Sequence, residues 1–446
     1  MKKSMFRSLF AFVILLFVCS STQAAFAPPD HYTVSYKLLY TYTKDSLARH
    51  WKKHHIPQIM VPIRNDVDMY EVTYKGIWLD STFIMAKGVM YVAKNNKPAA
   101  EMVYCHGTRI SLNQDYGIQD LEQFVPIMHA ADGYIGLFPF YYGLGGGEKE
   151  HVYQDSYTEA MSTIYMIKAC REIYPKIGET TTGQLFVTGY SQGGHAAMAT
   201  AKYLDSGQFP DIKLTAASPM SGAYDMVGVQ AKTMFQKYDQ PHYLPYLLIS
   251  YQYAYHLWPG SIYDVFKPPY NTTLQKVFAQ PRIVDYGDVN AMLPKIPKDM
   301  IVDSLVGVFN GDTSFAFRKK LKENCLNEWV PTTPLQMCAC YADNEVMCDN
   351  TIETYNYMKA RTKNVVYKHV FGKHLSHNPC APFAIIYSKI FFDNFRKGRK
   401  NVAHVPAGKQ MLLDIAIAQA NQQAKRHMKK FGKVESDALA GREKKK

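Results

Sequence analysis

Ser191 carries the clearest chemical signal in this chain. Residues 189–193 read Gly-Tyr-Ser-Gln-Gly. They stand between a β-like run at 184–188 with an apolar centre and the helix-favouring residues 196–199. A strand, a glycine-rich turn and a helix in this order form a nucleophile elbow, in which a serine hydroxyl projects from a sharp turn. Glycines are needed on both sides because a Cβ there would collide with the neighbouring strand or helix. The pattern predicts that Ser191 attacks a carbonyl carbon.

Attack by a serine requires donors that stabilise the oxyanion formed on the carbonyl oxygen. The first predicted donor is the backbone N–H of Gln192, because it lies at the N-terminal end of the helix after the serine. The second is the backbone N–H of Thr108, in the sequence His106-Gly107-Thr108 that follows an apolar strand. Gly107 allows the sharp turn that would direct this amide into the site, and the Thr108 hydroxyl is an additional candidate donor.

A serine hydroxyl is a weak nucleophile unless a histidine accepts its proton and a carboxylate orients that histidine. In chains with this elbow, the order along the sequence is serine, acid, histidine. Asp343 is the predicted acid because it follows a strand that ends near residues 340–342 and precedes the next helix. Asp312 and Glu345 are the two fallback acids.

Two histidines are candidates for the base, His374 and His377, and both follow the strand predicted at residues 365–371. His377 is favoured because it lies nearer the start of the last large helix, and His374 stays open as the alternative. His195 lies four residues after Ser191 on the elbow helix. We interpret His195 as a packing or hydrogen-bonding residue.

Strand and helix patterns alternate along the chain, which predicts the α/β class with a mostly parallel sheet covered by helices on both faces. Residues 69–92 instead indicate antiparallel edge strands. Residues 225–330 interrupt the alternation and are interpreted as a mainly helical cap over the edge that carries the serine, the alternative being that they belong to the core. The predicted divisions are a signal peptide at 1–24, a core in two parts at 25–224 and 331–400, the cap at 225–330, and a C-terminal helix with a basic tail at 401–446.

The N-terminus has the layout of a secretory signal peptide, with basic residues, an apolar run at 9–18 and small residues up to the expected cleavage point after Ala24. The run is shorter than the roughly 20 residues that span a bilayer, so cleavage is favoured over anchoring. A lipid-modified Cys19 is the less favoured alternative. We therefore expect an exported protein, periplasmic or secreted, in a compartment that permits disulfides whose pairing the sequence leaves open. Cys105 lies in an apolar run and is expected to be a buried thiol.

The formal net charge of +13 is concentrated at the ends of the chain. Three of these charges lie in the predicted leader and a surplus of six lies in residues 425–446, which leaves +4 on the body. The basic tail is interpreted as a solvated helix end, with weak contact to a membrane surface or cell-wall polymer as a secondary prediction. Basic-aromatic motifs typical of nucleic-acid binding do not occur, so nucleic acid is not an expected partner.

These motifs together resemble the secreted serine esterases and lipases of the α/β-hydrolase fold, close to the secretory lipase group. The resemblance covers residues 68–395 and keeps the family order of the segments that carry it, which are 106–108, 132–145, 189–194, 334–346 and His377. It implies an α/β-hydrolase fold that cleaves carboxylic esters through an acyl-enzyme, without a cofactor or a metal. The implied partner is a small-molecule or lipid ester, and the oligomeric state is not indicated.

Two positions depart from the family pattern. Phe140 stands where many relatives carry an aspartate that is usually structural, so we expect a repacked loop and retained activity. Cys380 follows closely after His377, and the sequence assigns it no role.

Three other classes of function share some of these sequence features. A secreted serine peptidase of the prolyl-oligopeptidase type uses the same elbow and order, but the roughly 100 residues before the third strand show no propeller repeats. A zinc protein is suggested by the close spacing of His374, His377 and Cys380, although the paired ligand motifs of zinc sites are missing. A non-catalytic binding protein of this fold is disfavoured because the predicted serine, acid and histidine are all present.

Overall fold

A single mixed sheet lies at the centre of the described part of the chain. The computed structural model describes residues 29–112, 115–279, 284–362 and 366–443, with side chains through residue 427, so the predicted signal peptide lies outside the described residues. The strands are β1 (Thr33–Tyr42), β2 (Val67–Ile77), β3 (Phe83–Ala93), β4 (Ala99–Cys105), β5 (Tyr134–Pro139), β6 (Thr181–Tyr190), β7 (Ala216–Met220), β8 (Leu335–Cys340) and β9 (Val366–Phe371).

From β4 onward, at least one α-helix separates each strand from the next. The α-helices are α1 (Lys44–Lys53), α2 (Phe124–Ala131), α3 (Ser156–Ile173), α4 (Gln192–Asp205), α5 (Tyr243–Tyr255), α6 (Tyr270–Val277), α7 (Tyr286–Ala291), α8 (Asp303–Gly311), α9 (Ala316–Glu323), α10 (Asp349–Arg361), α11 (His377–Arg396) and α12 (Ala407–Glu443). Within the described residues, none of these helices is long and apolar enough to cross a bilayer.

The strand order is β1-β2-β3-β5-β4-β6-β7-β8-β9. The pairs β1–β2, β2–β3 and β3–β5 are antiparallel, and all pairs from β5–β4 through β8–β9 are parallel. Strands β4, β5, β7 and β8 are buried along their whole length, which requires cover on both faces. The predicted α/β class with a mostly parallel sheet is confirmed.

The N-terminal strands differ in one respect from the sequence prediction. The antiparallel strands β2 and β3 are present as expected, but the sheet edge is formed by β1, for which the sequence analysis made no prediction. Most of β1 is exposed, including Leu38, Leu39 and Tyr40 on both of its faces. Because neither face is buried, the alternation that marks a half-buried strand is missing from its sequence.

The segment between β7 and β8 is mainly helical where it is described. It contains α5 to α9 together with short 3-10 helices at residues 230–235, 262–265 and 297–300. This content fits the cap interpretation of residues 225–330, and the boundaries of the cap stay a prediction. The predicted C-terminal helix is α12, which extends to Glu443, and its side chains after residue 427 lie outside the described residues.

A buried ion network anchors α11 to the sheet. Lys389 on α11 is fully buried and its Nζ lies 2.7 Å from Asp132 and 2.9 Å from Asp393, while the Tyr134 hydroxyl donates to Asp393 over 2.8 Å. Asp132 lies between α2 and β5, so the network joins α11 to the start of that strand. A buried charge is tolerated only when it is paired in this way. The network fixes the helix whose first residue is His377.

The parallel direction of the strands gathers the candidate site residues at one edge. β4, β6, β8 and β9 end at Cys105, Tyr190, Cys340 and Phe371, and all four ends lie on the same side of the sheet. The carboxyl ends of parallel strands are where side chains that bind ligands meet in open α/β sheets. The segments that follow these strands contain every residue that the sequence analysis selected as catalytic.

Candidate active site

Ser191 occupies the turn between β6 and α4, with backbone angles φ 63° and ψ −123°. A non-glycine residue with positive φ is strained and persists only where the surrounding structure holds it. A Cβ on Gly189 would lie 2.2 Å from the carbonyl oxygen of Gly193, and a Cβ on Gly193 would lie 1.9 Å from the carbonyl oxygen of Cys105. The turn is therefore packed too tightly for a side chain at position 189 or 193.

The loop after β4 lies directly beside this elbow. A Cβ on Gly107 would be 3.7 Å from the Cβ of Ser191, and the Gly107 N–H donates to Oε1 of Glu122 over 2.6 Å. This bond occupies the N–H of Gly107. The neighbouring N–H of Thr108 makes no hydrogen bond within the described residues. The Thr108 hydroxyl is 3.0 Å from the hydroxyl of Tyr153. The structure thus brings the predicted loop to the serine, with the Thr108 N–H unengaged.

His377 and Asp343 form a buried pair at the same edge. His377 is the first residue of α11, and its Nδ1 lies 2.9 and 2.8 Å from the two carboxylate oxygens of Asp343. The backbone N–H groups of Glu345 and Val346 donate to Asp343 Oδ1, so the carboxylate is also held by its own loop. A carboxylate in this position orients the imidazole and keeps a proton on Nδ1.

The second ring nitrogen of His377 is available for chemistry. Nε2 is buried and has no hydrogen-bond partner among the described residues. The ring of Tyr190 lies 4.8 Å from the His377 ring, and the Tyr190 hydroxyl donates to the His377 carbonyl over 2.7 Å. Because Tyr190 immediately precedes Ser191, these contacts hold the imidazole beside the elbow.

Several charges act on the protonation of His377. Burial by itself lowers the pKa of this imidazole, but the charge and hydrogen bond of Asp343 raise it, and the charges of Glu345 and Glu122 raise it further. The net effect is a pKa above the ordinary value for histidine. A higher pKa makes the group a stronger proton acceptor, provided that the pH is high enough to keep it neutral.

The remaining acid and base candidates from the sequence lie elsewhere or have other partners. His374 is only partly buried, and its backbone N–H donates to a side chain of α12. Asp312 is exposed at the end of α8. Glu345 is buried close to the pair, but its carboxylate accepts hydrogen bonds from the Tyr243 hydroxyl over 2.8 Å and from Gln240 over 3.1 Å. The structure therefore pairs His377 with Asp343 and with neither fallback acid.

A buried hydrogen-bond network lies behind the elbow. The side-chain Nε2 of Gln192 is 2.8 Å from Glu159 Oε1 and 2.7 Å from His151 Nε2, and Glu159 Oε2 is 2.7 Å from His195 Nδ1. This network fixes the first turn of α4, whose first backbone N–H, that of Gln192, makes no hydrogen bond within the described residues. His195 has the hydrogen-bonding role expected of it. Sequence reasoning missed Glu159, although a carboxylate within a largely buried helix was an available signal.

A disulfide joins the elements that carry the acid and the histidine. Cys340, the last residue of β8, is bonded to Cys380 on α11. Cys340 lies three residues before Asp343, and Cys380 lies three residues after His377. The bond thus gives Cys380 the role that the sequence left unassigned. Among the described residues the other cysteines are free and buried, including Cys105 as expected.

Two of the three candidate zinc ligands, His377 and Cys380, have other partners. Cys340 and Cys380 are bonded to each other, and His377 is bonded to Asp343. In the described ranges, no group of three histidine, cysteine or acidic side chains is arranged to hold a metal ion.

Phe140 is buried in the loop after β5. Its ring packs against Phe138 and Tyr116, and a Cβ on Gly145 would lie 2.2 Å from it. The aromatic ring thus fills the space beneath this loop.

A mostly parallel sheet with a serine elbow after β6, and an acid and a histidine after β8 and β9, has the architecture of the α/β-hydrolase fold. Solved structures share it. A Legionella pneumophila protein provisionally described as a hydrolase is 24% identical, with 82% of this chain and 99% of that chain covered and a TM-score of 0.75. A ligand-bound form of the rice cell wall degrading esterase LipA from Xanthomonas oryzae is 24% identical, with 81% and 96% covered and a TM-score of 0.70.

Lipase A from Candida antarctica, in its closed state, is 12% identical, with 88% of this chain and 90% of that chain covered and a TM-score of 0.64. No protein-family profile matches the chain, and no curated protein matches its sequence. The structural likenesses confirm the predicted α/β-hydrolase fold.

The disulfide generates a prediction about stability. Replacing both Cys340 and Cys380 with serine should lower the free energy of unfolding by about 4 kcal/mol, because the bond closes a long loop in the unfolded chain. Urea unfolding of the oxidised wild type and of the double variant measures this difference. As the control, a reductant should shift the wild-type midpoint and leave the double variant unchanged. Equal stability of the two oxidised proteins would contradict the prediction.

Proposed function

We propose that this protein is a serine hydrolase that cleaves carboxylic esters, with Ser191 as nucleophile, His377 as general base and Asp343 as the acid that orients it. One observation carries the proposal. His377 is bonded to Asp343 through Nδ1 and keeps a buried, unpartnered Nε2 beside a strained serine elbow. The bond to the carboxylate keeps the proton on Nδ1, which leaves the unpartnered Nε2 as an acceptor for the serine proton.

In the proposed reaction, the Ser191 Oγ attacks the ester carbonyl carbon while its proton passes to Nε2 of His377. The backbone N–H groups of Gln192 and Thr108 stabilise the oxyanion of the tetrahedral intermediate. When that intermediate collapses, the imidazolium donates its proton to the departing alkoxide, and an acyl ester remains on Ser191. Water then attacks the acyl carbon and gives a proton to Nε2 of His377. When this second intermediate collapses, the bond to Ser191 Oγ breaks, the imidazolium returns the proton to Oγ, and the carboxylic acid leaves.

The choice of esters rests on the site together with the fold neighbours. LipA is named as an esterase and the Candida protein as a lipase, and both share this fold. The proposed machinery needs no cofactor, because a serine, a histidine and backbone amides complete both half-reactions. A small-molecule or lipid ester is therefore the proposed substrate.

Replacing Ser191 with alanine should lower kcat/KM for p-nitrophenyl esters by at least about 10⁴-fold, because the attacking oxygen is lost. His377→Ala should cause a loss of the same order. His374→Ala is the matched control and should change the rate only a few-fold. The opposite ranking of the two histidines would exchange their roles, and faster cleavage of aminoacyl nitroanilides than of esters would favour the peptidase.

The pH profile provides a second test. The base works only when neutral, so kcat/KM should rise with pH through a midpoint above the ordinary histidine pKa of about 6.5, since the pKa of His377 is raised. Glu345→Gln removes one of the charges that raise this pKa, so the midpoint should move to lower pH while Asp343 still orients the ring. A midpoint that stays in place would show that Glu345 does not act on the base.

We also propose that the protein is exported. The Cys340–Cys380 disulfide supports this because such bonds persist in oxidising compartments.

If the N-terminal segment is a cleaved signal, protein recovered from the periplasm or the medium should begin at Ala25 by N-terminal sequencing. Replacing both Leu15 and Leu16 with arginine interrupts the apolar run and should keep the protein in the cytoplasm with its N-terminus intact. Export of that variant with an unchanged N-terminus would refute the signal assignment.

A further inference from the structure

One face of α12 is fixed to the body of the protein. The side-chain amide of Gln410 donates to the Tyr387 hydroxyl on α11 over 3.2 Å, and Oδ1 of Asn421 accepts from the backbone N–H of His374 over 2.9 Å. The apolar residues of this face are buried or packed against the core, and they are Leu413, Ile417, Ala420 and Ala424. Because residues three and four apart share a helix face, these contacts determine which residues of α12 point outward.

The outward face of α12 begins with apolar side chains that are open to solvent. Met411 is 59% exposed, Ile415 is 49% exposed, and Leu412 beside them is 37% exposed. Ala418 is also exposed and continues the same face one turn further on. We call these four residues the apolar stripe. Exposed apolar residues that stand side by side, unlike scattered ones, mark a surface that binds a partner or a membrane.

Basic residues flank the apolar stripe on both sides along the chain. The exposed cations are Lys397, Arg399 and Lys400 in the turn before α12, and Lys425 and Arg426 after the stripe. Arg426 follows Ala418 by two steps of four residues, so it lies on the same face of the helix. Residues 397–427 contain six lysines or arginines and one acidic residue, Asp414. This part of the surface therefore combines apolar side chains with a strong positive charge.

This combination fits the surface of an anionic bilayer. A helix that lies in the interface inserts apolar side chains among the lipids, while each lysine or arginine near the anionic headgroups tightens binding about fivefold. An anionic polymer without acyl chains would pair with the cations and leave the apolar stripe in water. A second copy of this chain would bring two positively charged faces together, and like charges repel.

We propose that the outward face of α12 docks onto a membrane surface that contains anionic phospholipids. The apolar stripe inserts between the headgroups, and the flanking cations lie against the phosphates. The sequence analysis assigned a weak surface contact to the basic tail alone, whereas the structure adds the outward face of a helix that is fixed to the core. This inference does not depend on the proposed reaction.

Vesicle binding tests the proposal. The Ser191→Ala protein is used so that the lipid is not hydrolysed, and its co-sedimentation is measured with vesicles of phosphatidylcholine alone and of phosphatidylcholine mixed with phosphatidylglycerol. Binding to the anionic vesicles should be at least about tenfold tighter, and it should weaken at high ionic strength. Equal binding to both kinds of vesicle, or no binding to the anionic ones, would overturn the inference.

A pair of substitutions assigns the insertion to the apolar stripe. Met411→Ser together with Ile415→Ser should weaken binding to the anionic vesicles by about tenfold, because less apolar surface leaves water. The matched control is Ile59→Ser together with Leu121→Ser, since these side chains are 62% and 81% exposed and precede β2 and α2. The control should bind as before. Undiminished binding by the α12 variant, with its circular dichroism unchanged, would contradict insertion of the stripe.

A second pair of substitutions assigns the electrostatic contact. Lys425→Gln with Arg426→Gln should weaken binding to the anionic vesicles by about 20-fold. Lys52→Gln with Lys53→Gln removes the same charge from two exposed residues of α1 and should have little effect. Equal losses in the two variants would mean that the vesicles respond only to net charge, which would refute docking through α12.

Light scattering without vesicles tests the other occupant of this face. The protein should remain in one oligomeric state as its concentration rises. A dimer that disappears in Met411→Ser with Ile415→Ser would show that a second copy covers the face, and would overturn the proposal. Ester hydrolysis is not measured in any of these experiments. Failure of the proposed function would therefore leave membrane docking standing, and failure of docking would leave the proposed function standing.

Discussion

The close approach of α4 to the end of β4 is the constraint on which the site depends. With hydrogen atoms alone at positions 189 and 193, the backbone of the turn comes against the carbonyl of Cys105, and the chain after β6 must bend back at once. That bend forces Ser191 to positive φ and lifts its side chain to the same edge as the loop after β4. The strain at one residue is held by tight backbone packing on both sides.

The proposed base is fixed by a different set of interactions, spread over long distances in the sequence. The His377 ring is bonded to Asp343, the first turn of α11 is tied to β8 by the disulfide at Cys380, and a later turn is tied to β5 by Lys389. These contacts hold α11 at three places along its length. If His377 is the base, a ring held in this way needs little reordering when the substrate binds, and positioning of this kind lowers a reaction barrier.

The segment between β7 and β8 is bonded to the loop that contains the proposed acid. Gln230, Tyr238 and Tyr243 all donate hydrogen bonds to Glu345, two residues after the proposed acid. Movement of this segment would therefore disturb the loop that holds Asp343. The position of this segment and the orientation of the proposed base are therefore coupled, because Tyr238 and Tyr243 restrain the loop that contains Asp343.

The sequence alone determined the local features, since these depend on neighbouring residues. The strand, glycine turn and helix around Ser191, and the order of serine, acid and histidine, follow from patterns of a few residues each. The sequence favoured His377 over His374 by its position before the last large helix. The contact of His377 with Asp343, and the pairing of Cys340 with Cys380, follow from contacts between β8, β9 and α11.

The hydrogen bonds that Glu122, Glu159 and Tyr153 make near the site likewise join segments that are far apart in the chain. Edge strand β1 escaped prediction because it buries neither face, so its place was decided by pairing with β2. Only the tertiary structure decides such contacts, because hydrogen bonds and packing between distant segments leave no periodic pattern in the sequence.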